Sequence, residues 1–463
     1  MEPNRLDDLT EQAVAGLLEG SGAPDQPFCR QRTYADIRAM AHAILDQCPG
    51  AGDQQGHLAV FSTDRAVTAA AIIARLAGGP ILVLPHDISD EALMDLASDP
   101  EHTWVVADPG RTLPGRFKTV VAQPDDHRSD TRPLTPAIDS DAPLLKLYTG
   151  GSTGKPAIWT KTVANIMGEA LFQVNTHGIC QEDVVVATVP PYHIYGLLFS
   201  VAAPMLAGAR VADQTCGFPH EIINLVADTA ATILVSVPAH FRALTGHNLG
   251  NHGLRLAFSS AGVLDETDET DFRQRNNVPV MEVYGSTETG GIAFRCRGRD
   301  ETFFSPFNVI ETKIAQETIK IKSPFVSPEI LRDDLGFYLV PDRVKPCSGN
   351  RFAILGRSDA VVKIAGIRVD LDQVLAVLKT MDGVRDALVL TKPVPRGRAF
   401  DICALVEGDC THADIRQFLS GRLEAVAHPR RIKVVDHMPM TRSGKYDRAA
   451  VAALFETNQG KAE

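Results

Sequence analysis

The sequence predicts an α/β fold: a large N-terminal domain of mostly parallel sheets covered by helices, with a β-rich subdomain, then a small α+β C-terminal domain. Three observations predict it. Strand-like apolar runs alternate with helix-like segments through the first half, an order that implies parallel strands joined by helical crossovers. After about residue 300 short strands dominate. Beyond a polar turn, Gly356-Arg-Ser-Asp359, the last hundred or so residues return to a mixed pattern.

In order, 34–48 reads as a helix, 57–62 as a short strand, the Ala/Ile-rich stretch 66–77 as a helix and 81–84 as a strand. A strand at 103–107 and a helix at 163–173 follow. Strands at 184–189, 210–212 and 232–237 continue the rhythm, with helical stretches between them. The β-rich region holds 312–322, 336–340, 351–355 and 360–364. The C-terminal unit reads as helix 370–380, strands 384–391 and 401–406, helix 411–424 and strand 431–435. The expected domains are 1–356 and 357–463.

Composition narrows the function classes. Apolar content of 44% and charged content of 22% suit a soluble globular enzyme. A net charge of −11 argues against sequence-independent nucleic-acid binding, which needs a basic surface. The eight cysteines are scattered without a C-x-x-C, which suits free thiols in a reducing compartment. The polar, acidic N-terminus reads as free of a secretory signal, and a cytoplasmic location is expected. From 184 to 209 no Asp, Glu, Lys or Arg appears, but Pro190, Pro191, His193 and Pro204 divide the stretch. A buried strand, a loop and a buried helix are expected there, with no transmembrane segment.

Three places carry chemistry. The run Leu147-Tyr-Thr-Gly-Gly-Ser-Thr-Gly-Lys-Pro156 follows a strand-like stretch. Its glycines let the backbone approach a ligand closely, and its hydroxyls and lysine suit an anion. Alone it also fits a plain Gly/Ser turn. It is not a P-loop, because the lysine follows the last glycine and precedes a proline. At Val283-Tyr-Gly-Ser-Thr-Glu-Thr-Gly290, Thr287 offers a hydroxyl to a phosphate and Glu288 a carboxylate to Mg²⁺, though a simple strand-ending turn reads the same way. Lys445 sits in a Ser-Gly-Lys turn that, by itself, is an ordinary surface feature.

Taken together and in order, these segments resemble the adenylate-forming superfamily. The resemblance rests on the glycine loop, Pro191-Tyr-His-Ile-Tyr-Gly196, Ser259-Ser-Ala-Gly-Val-Leu264 and Tyr284-Gly-Ser-Thr-Glu288. Asp342, Gly356-Arg-x-Asp359, Lys363-x-x-Gly-x-Arg368 and Thr441-x-Ser-Gly-Lys445 complete it, so that it runs from about residue 145 to 448. The superfamily comprises acyl- and aryl-CoA synthetases, adenylation domains of nonribosomal peptide synthetases, and luciferases. The resemblance implies that a small carboxylic acid attacks MgATP to give an acyl-adenylate and pyrophosphate. The thiol of CoA or of a carrier-protein phosphopantetheine then displaces AMP.

Residue roles follow from the resemblance. Thr149, Gly150, Gly151, Ser152, Thr153, Gly154 and Lys155 would cradle the β- and γ-phosphates, Thr287 would contact the α-phosphate, and Glu288 would hold Mg²⁺. Asp342 would take the ribose hydroxyls, with Arg357 in support, while the 259–264 strand (with Gly262) and Tyr284 flank adenine. Lys445 would bridge the carboxylate and α-phosphate. Asp359 falls at the hinge on which the mobile C-terminal domain would turn. That turn would bring the face of Lys363 and Arg368 to the thiol tunnel, where Gly366 leaves room for pantetheine. His193 would gate the acid pocket, a place that a satisfied buried histidine fits too.

The chain also departs from the pattern. Ala157 stands where the family's loop carries a lysine, so Lys155 or Lys161 would supply that charge. Gln373 replaces an acid expected after Arg368, with Asp370 and Asp372 nearby, and Val340-Pro-Asp342 replaces Thr-Gly-Asp. The Trp159-x-Lys-Thr162 tract is similar, over only a few residues, to ligases of aryl-polyene and xanthomonadin-type clusters, which activate hydroxybenzoate-like acids. The leading expectation is an AMP-forming ligase acting on an aryl or medium acyl acid. Two alternatives stand beside it: an enzyme that loads only a carrier protein, and a degenerate ATP-binding or regulatory protein.

Overall fold

The computed structural model describes residues 3–20, 24–49, 56–123, 132–149, 157–299, 302–364, 367–393, 400–441 and 446–456. Two compact units emerge: Met1–Glu311 with Lys322–Tyr338, and Thr312–Ile321 with Leu339–Glu463.

The larger unit holds two sheets built to one plan. The first runs, edge to edge, Lys118–Thr119, His102–Ala107, His57–Phe61, Ile81–Leu84, Pro143–Thr149 and Ala157–Thr162. Its strands are parallel except for the last pair, an antiparallel hairpin that spans 150–156. The second runs Arg210–Val211, Val184–Ala187, Ile233–Ser236, Leu256–Ser259, Val280–Ser286, Gly290–Arg295 and Ser305–Pro306. It too is parallel through Val280–Ser286 and then turns back antiparallel. Strands His57–Phe61, Val184–Ala187 and Ile233–Ser236 are buried at every position, the pattern of strands covered on both faces. In both sheets the hairpin turn falls at the carboxyl end of a parallel strand, the edge where open α/β sheets bind ligands.

The uncharged stretch 184–209 resolves as expected into strand, loop and buried helix. After Val184–Ala187 the chain forms helix Ile194–Leu197, a π-helical turn Leu198–Ala202 and helix Ala203–Ala207. Gly208, at φ +70°, ends it in the left-handed conformation that favours glycine. No helix among the described residues is long and apolar enough to cross a membrane.

Arg65 ties the two sheets together. Helix Arg65–Leu76, which packs on the first sheet, opens with Asp64 capping Ala66 N at 2.8 Å. The Arg65 side chain is only 1% exposed. It donates to the carbonyls of Ala187 and Val189 (both 3.1 Å), and of Ala212, Asp213 and Gln214 (3.3–3.4 Å). It also donates to Ser200 Oγ and Thr215 Oγ1, each at 3.0 Å. Burial pushes its pKa down to about 10, so the guanidinium stays charged at neutral pH.

The helix expected at 163–173 is a π-helical turn, Ala164–Gly168, running into helix Glu169–His177. Helix Pro3–Glu19 and strand Ala157–Thr162 have no counterpart in the sequence reading.

In the smaller unit, strands Glu311–Ala315, Thr318–Lys322, Tyr338–Pro346 and Phe352–Arg357 make a four-stranded sheet. The single strand expected at 312–322 is two, because Gln316 and Glu317 take positive φ (48° and 64°) and reverse the chain. A ribbon, Val361–Ile364 against Ile367–Asp370, precedes a sheet of Val384–Pro393, Phe400–Gly408 and Arg431–Val435. Helices Leu371–Lys379 and His412–Ser420 bury Val374, Leu378, Ile415 and Leu419 in one core of this unit. Helix Arg448–Leu454 places Val451 in a second core with Leu388, Cys403 and Leu405.

Replacing Arg65 by Met would strand several buried carbonyls without donors. A loss of roughly 3–5 kcal/mol is expected, read as a fall of several degrees in the thermal unfolding midpoint of the purified protein.

Candidate active site

The second sheet's hairpin turn is closed by its own hydroxyls. Ser286 N donates to Thr289 Oγ1 at 3.0 Å, Thr289 N donates to Ser286 Oγ at 3.3 Å, and the two oxygens lie 2.9 Å apart. Thr287 and Glu288, half-buried, occupy the tip. Among the described residues none makes a hydrogen bond or ion pair with the Glu288 carboxylate, so its oxygens are left to a hard cation or water. Glycines are required beside it. A Cβ on Gly285 would lie 2.2 Å from Gly290 O, and Gly290 itself takes φ +66°.

Around that turn the structure places Tyr284, half-buried, with its ring 5.8 Å from that of Phe304. The strand expected at 259–264 ends at Ser259. Residues 260–264 instead form a turn, because Ala261 takes φ +69° and Ser260 Oγ bonds Val283 O at 2.8 Å. Gly262 is exposed on this turn. His193, half-buried, precedes helix Ile194–Leu197 and its ring stacks at a tilt on Tyr192, 4.8 Å between centroids. Thr149 ends its strand with Oγ1 bonded to Ala157 O at 3.2 Å. Gly150, Gly151, Ser152, Thr153, Gly154, Lys155, Gly366 and Lys445 lie outside the described residues.

Lys161, offered beside Lys155 as a source of the charge missing at Ala157, lies on strand Ala157–Thr162. Its strand turns it inward, and it is wholly buried, donating to the carbonyls of Glu288 (3.2 Å) and Phe325 (2.9 Å). Glu169, on the helix that follows, is buried with it and accepts from Gly291 N at 2.8 Å. Burial pushes the lysine's pKa down and the carboxyl's up, while each charge favours the other. Nothing in the spacing of the sequence signals this pair, since its partners on the turn are backbone atoms.

The smaller unit gathers the other expected residues. Asp342 and Arg357 are cross-strand partners, with Arg357 Nη1 3.9 Å from Asp342 Oδ1. The same guanidinium forks onto Asp359 through two bonds of 2.9 Å, which holds the Asp359 carboxyl below its ordinary range. Asp372, noted in the sequence only as an acid near Gln373, accepts from Arg357 N at 2.8 Å, and Gly356 (φ +133°) has no room for a Cβ beside it. Asp370 pairs with Arg343 and caps helix Leu371–Lys379, so both carboxylates near Gln373 have partners on neighbouring backbone and side chains. Arg368 is exposed and faces Lys363 across the ribbon.

The family model of AMP-binding enzymes matches residues 32–343, and that of the AMP-binding enzyme C-terminal domain matches 374–445. The chain belongs to the AMP-binding enzyme family, within the adenylate-forming superfamily. The enzyme is 28% identical to a 4-coumarate–CoA ligase of Rhodobacter capsulatus over 67% of its own length and 76% of that protein. It is 23% identical to surfactin synthase subunit 2 of Bacillus subtilis over 97% of its length, but only 14% of that protein. Its fold matches the crystal structure of ATP-bound MatB from Rhodopseudomonas palustris with a TM-score of 0.81 at 20% identity, covering 97% of this chain and 99% of that one.

The enzyme's glycine loop springs from a strand anchored by histidines. His57 Nδ1 and His102 Nδ1 lie 3.2 Å apart, and His102 Nε2 is 3.0 Å from the hydroxyl of Tyr148, next to Thr149. Burial, then the charge of Lys146, lowers the pKa of His57 from 6.5 to about 4, and burial lowers that of His102. Burial likewise brings His177 to about 4. A depressed histidine pKa means that the unfolded chain binds more protons, so stability rises with pH. This contribution is complete above 6.5 and disappears as pH falls towards about 4. The unfolding midpoint should therefore drop through that window, and His57→Gln should flatten the slope in a pH series of thermal melts.

Proposed function

We propose that this AMP-binding enzyme is an ATP-dependent acid–thiol ligase. It joins a small carboxylic acid, aryl or medium acyl, to AMP with release of pyrophosphate, and then passes the acyl group to CoA or to a carrier-protein phosphopantetheine. The observation that carries this reading is the self-closed turn Ser286–Thr289, which presents at the carboxyl edge of parallel strands the Thr287 hydroxyl and a Glu288 carboxylate that no described residue hydrogen-bonds. A hydroxyl donor and a carboxylate at one turn suit a phosphate and its divalent cation.

Within this reading Glu288 would hold Mg²⁺, which would supply positive charge to offset that of the phosphates. Thr287 donates to the α-phosphate, and residues 149–155 wrap the remaining phosphates. With Lys161 buried, Lys155 is the cation left to offset Ala157 in that loop. Tyr284 and the 260–264 turn flank adenine, Asp342 receives the ribose hydroxyls, and His193 borders the acid. The functional boundary is 1–356 against 357–463. Rotation about Asp359 exchanges Lys445, which serves adenylation, for the ribbon of Arg368 and Gly366, which serves the thiol. The 4-coumarate–CoA ligase supports an aryl acid and CoA, and the match to a peptide synthetase subunit supports a carrier acceptor.

ATP–pyrophosphate exchange across benzoates, cinnamates and short and medium fatty acids, without thiol, tests the first half-reaction. Exchange with one class names the acid, and binding of MgATP without exchange favours a nucleotide-binding protein that has lost adenylation. Lys445→Ala should cut exchange by on the order of 10²–10³-fold while sparing thioester formation from preformed acyl-adenylate. Equal loss in both steps would sink the hinge-and-lysine account.

A further inference from the structure

The buried pair beneath the Thr287–Glu288 tip holds that turn at both ends. Lys161 Nζ donates to the carbonyl of Glu288, where the turn begins to descend, and Glu169 Oε1 accepts from the amide of Gly291, where the return strand begins. Neither group is needed merely to satisfy the backbone at Glu288, because its carbonyl already accepts from Ser327 N at 2.8 Å. Bringing an ammonium and a carboxylate out of water is costly, and a neutral interior would fill the same space more cheaply.

The fit around the pair is close. A Cβ on Gly290 would fall 2.5 Å from Glu169 Oε2, and one on Gly291 2.8 Å from Oε1. Lys161 also reaches Phe325 O, and Asn165, on the same segment, donates to Pro324 O at 2.7 Å. Segment 157–169 thus grips both the turn and the loop that follows strand Thr318–Lys322 from one side.

Resting on the adenylation reading, we infer that Lys161 and Glu169 are positioning residues: an oppositely charged clamp that sets the peptide plane at Glu288, and so the aim of Thr287 and Glu288 at MgATP. They act through the backbone and touch no substrate. A residue that only supports the fold would weaken stability and leave ligand affinities in proportion. A clamp aimed at this turn affects the metal–nucleotide selectively.

The test uses full-length Lys161→Met and Glu169→Gln, both close in volume to the native side chains. Equilibrium binding of MgATP should weaken about tenfold or more, with a smaller loss for metal-free ATP and with KM for the acid held within about twofold. Folded variants that bind MgATP as the wild type does, or that lose nucleotide and acid affinity equally, overturn the clamp. If Lys161→Met does not fold, Glu169→Gln decides by the same measurements. Wild-type protein that binds MgATP but exchanges no pyrophosphate with any acid overturns the adenylation reading alone, and the clamp is then judged by binding.

Discussion

The larger unit depends on a single buried cation. Arg65 begins a helix on one sheet and spends its donors on carbonyls that follow the strands Val184–Ala187 and Arg210–Val211 of the other. The planar fork of a guanidinium suits this, since its rigid N–H groups can serve several backbone acceptors at once. Among the described residues no carboxylate makes an ion pair with it, so carbonyl dipoles, with the more distant charges of Asp213 and Asp64, stabilise it. The turn Ser286–Thr289 hangs from one of the two sheets that Arg65 joins.

The two sheets also show why chemistry collects where it does. Each is a run of parallel strands closed by one antiparallel return, and in the second sheet the parallel strand Val280–Ser286 ends in a tight reversal. Such a reversal leaves backbone amides and short hydroxyl side chains facing the solvent, the resource that an anion needs. In the second sheet the hydroxyls of Ser286 and Thr289 are used up in closing the turn, which frees Thr287 and Glu288 for a ligand.

Much of this was legible in the sequence. Alternation of apolar runs gave the layers, and the run of hydroxyls around Glu288 marked the turn, because both are properties of neighbouring residues. The cross-strand neighbours Asp342 and Arg357 were each singled out, though their pairing was not. Illegible features have partners remote in sequence or made of backbone. Lys161 was singled out only as a candidate charge, because its inward direction depends on strand Ala157–Thr162, which the sequence reading did not find. Asp372 stood in the sequence only as an acid near Gln373, and its bond to Arg357 N depends on the backbone at Gly356. The π-helical turns at Ala164–Gly168 and Leu198–Ala202 carry an ordinary helical pattern and show no local signal.

Positions 161, 169 and 290 are bound to one another in a way that constrains how such a chain can change over generations. A charge at 161 asks for the opposite charge at 169, and a carboxylate there asks for the absence of a side chain at 290. Exchanging one alone disturbs the balance of charge in the interior, which is expected to lower stability. A lineage leaves this arrangement with least disturbance by altering the three together. The trio is therefore expected to be inherited, or lost, as one character.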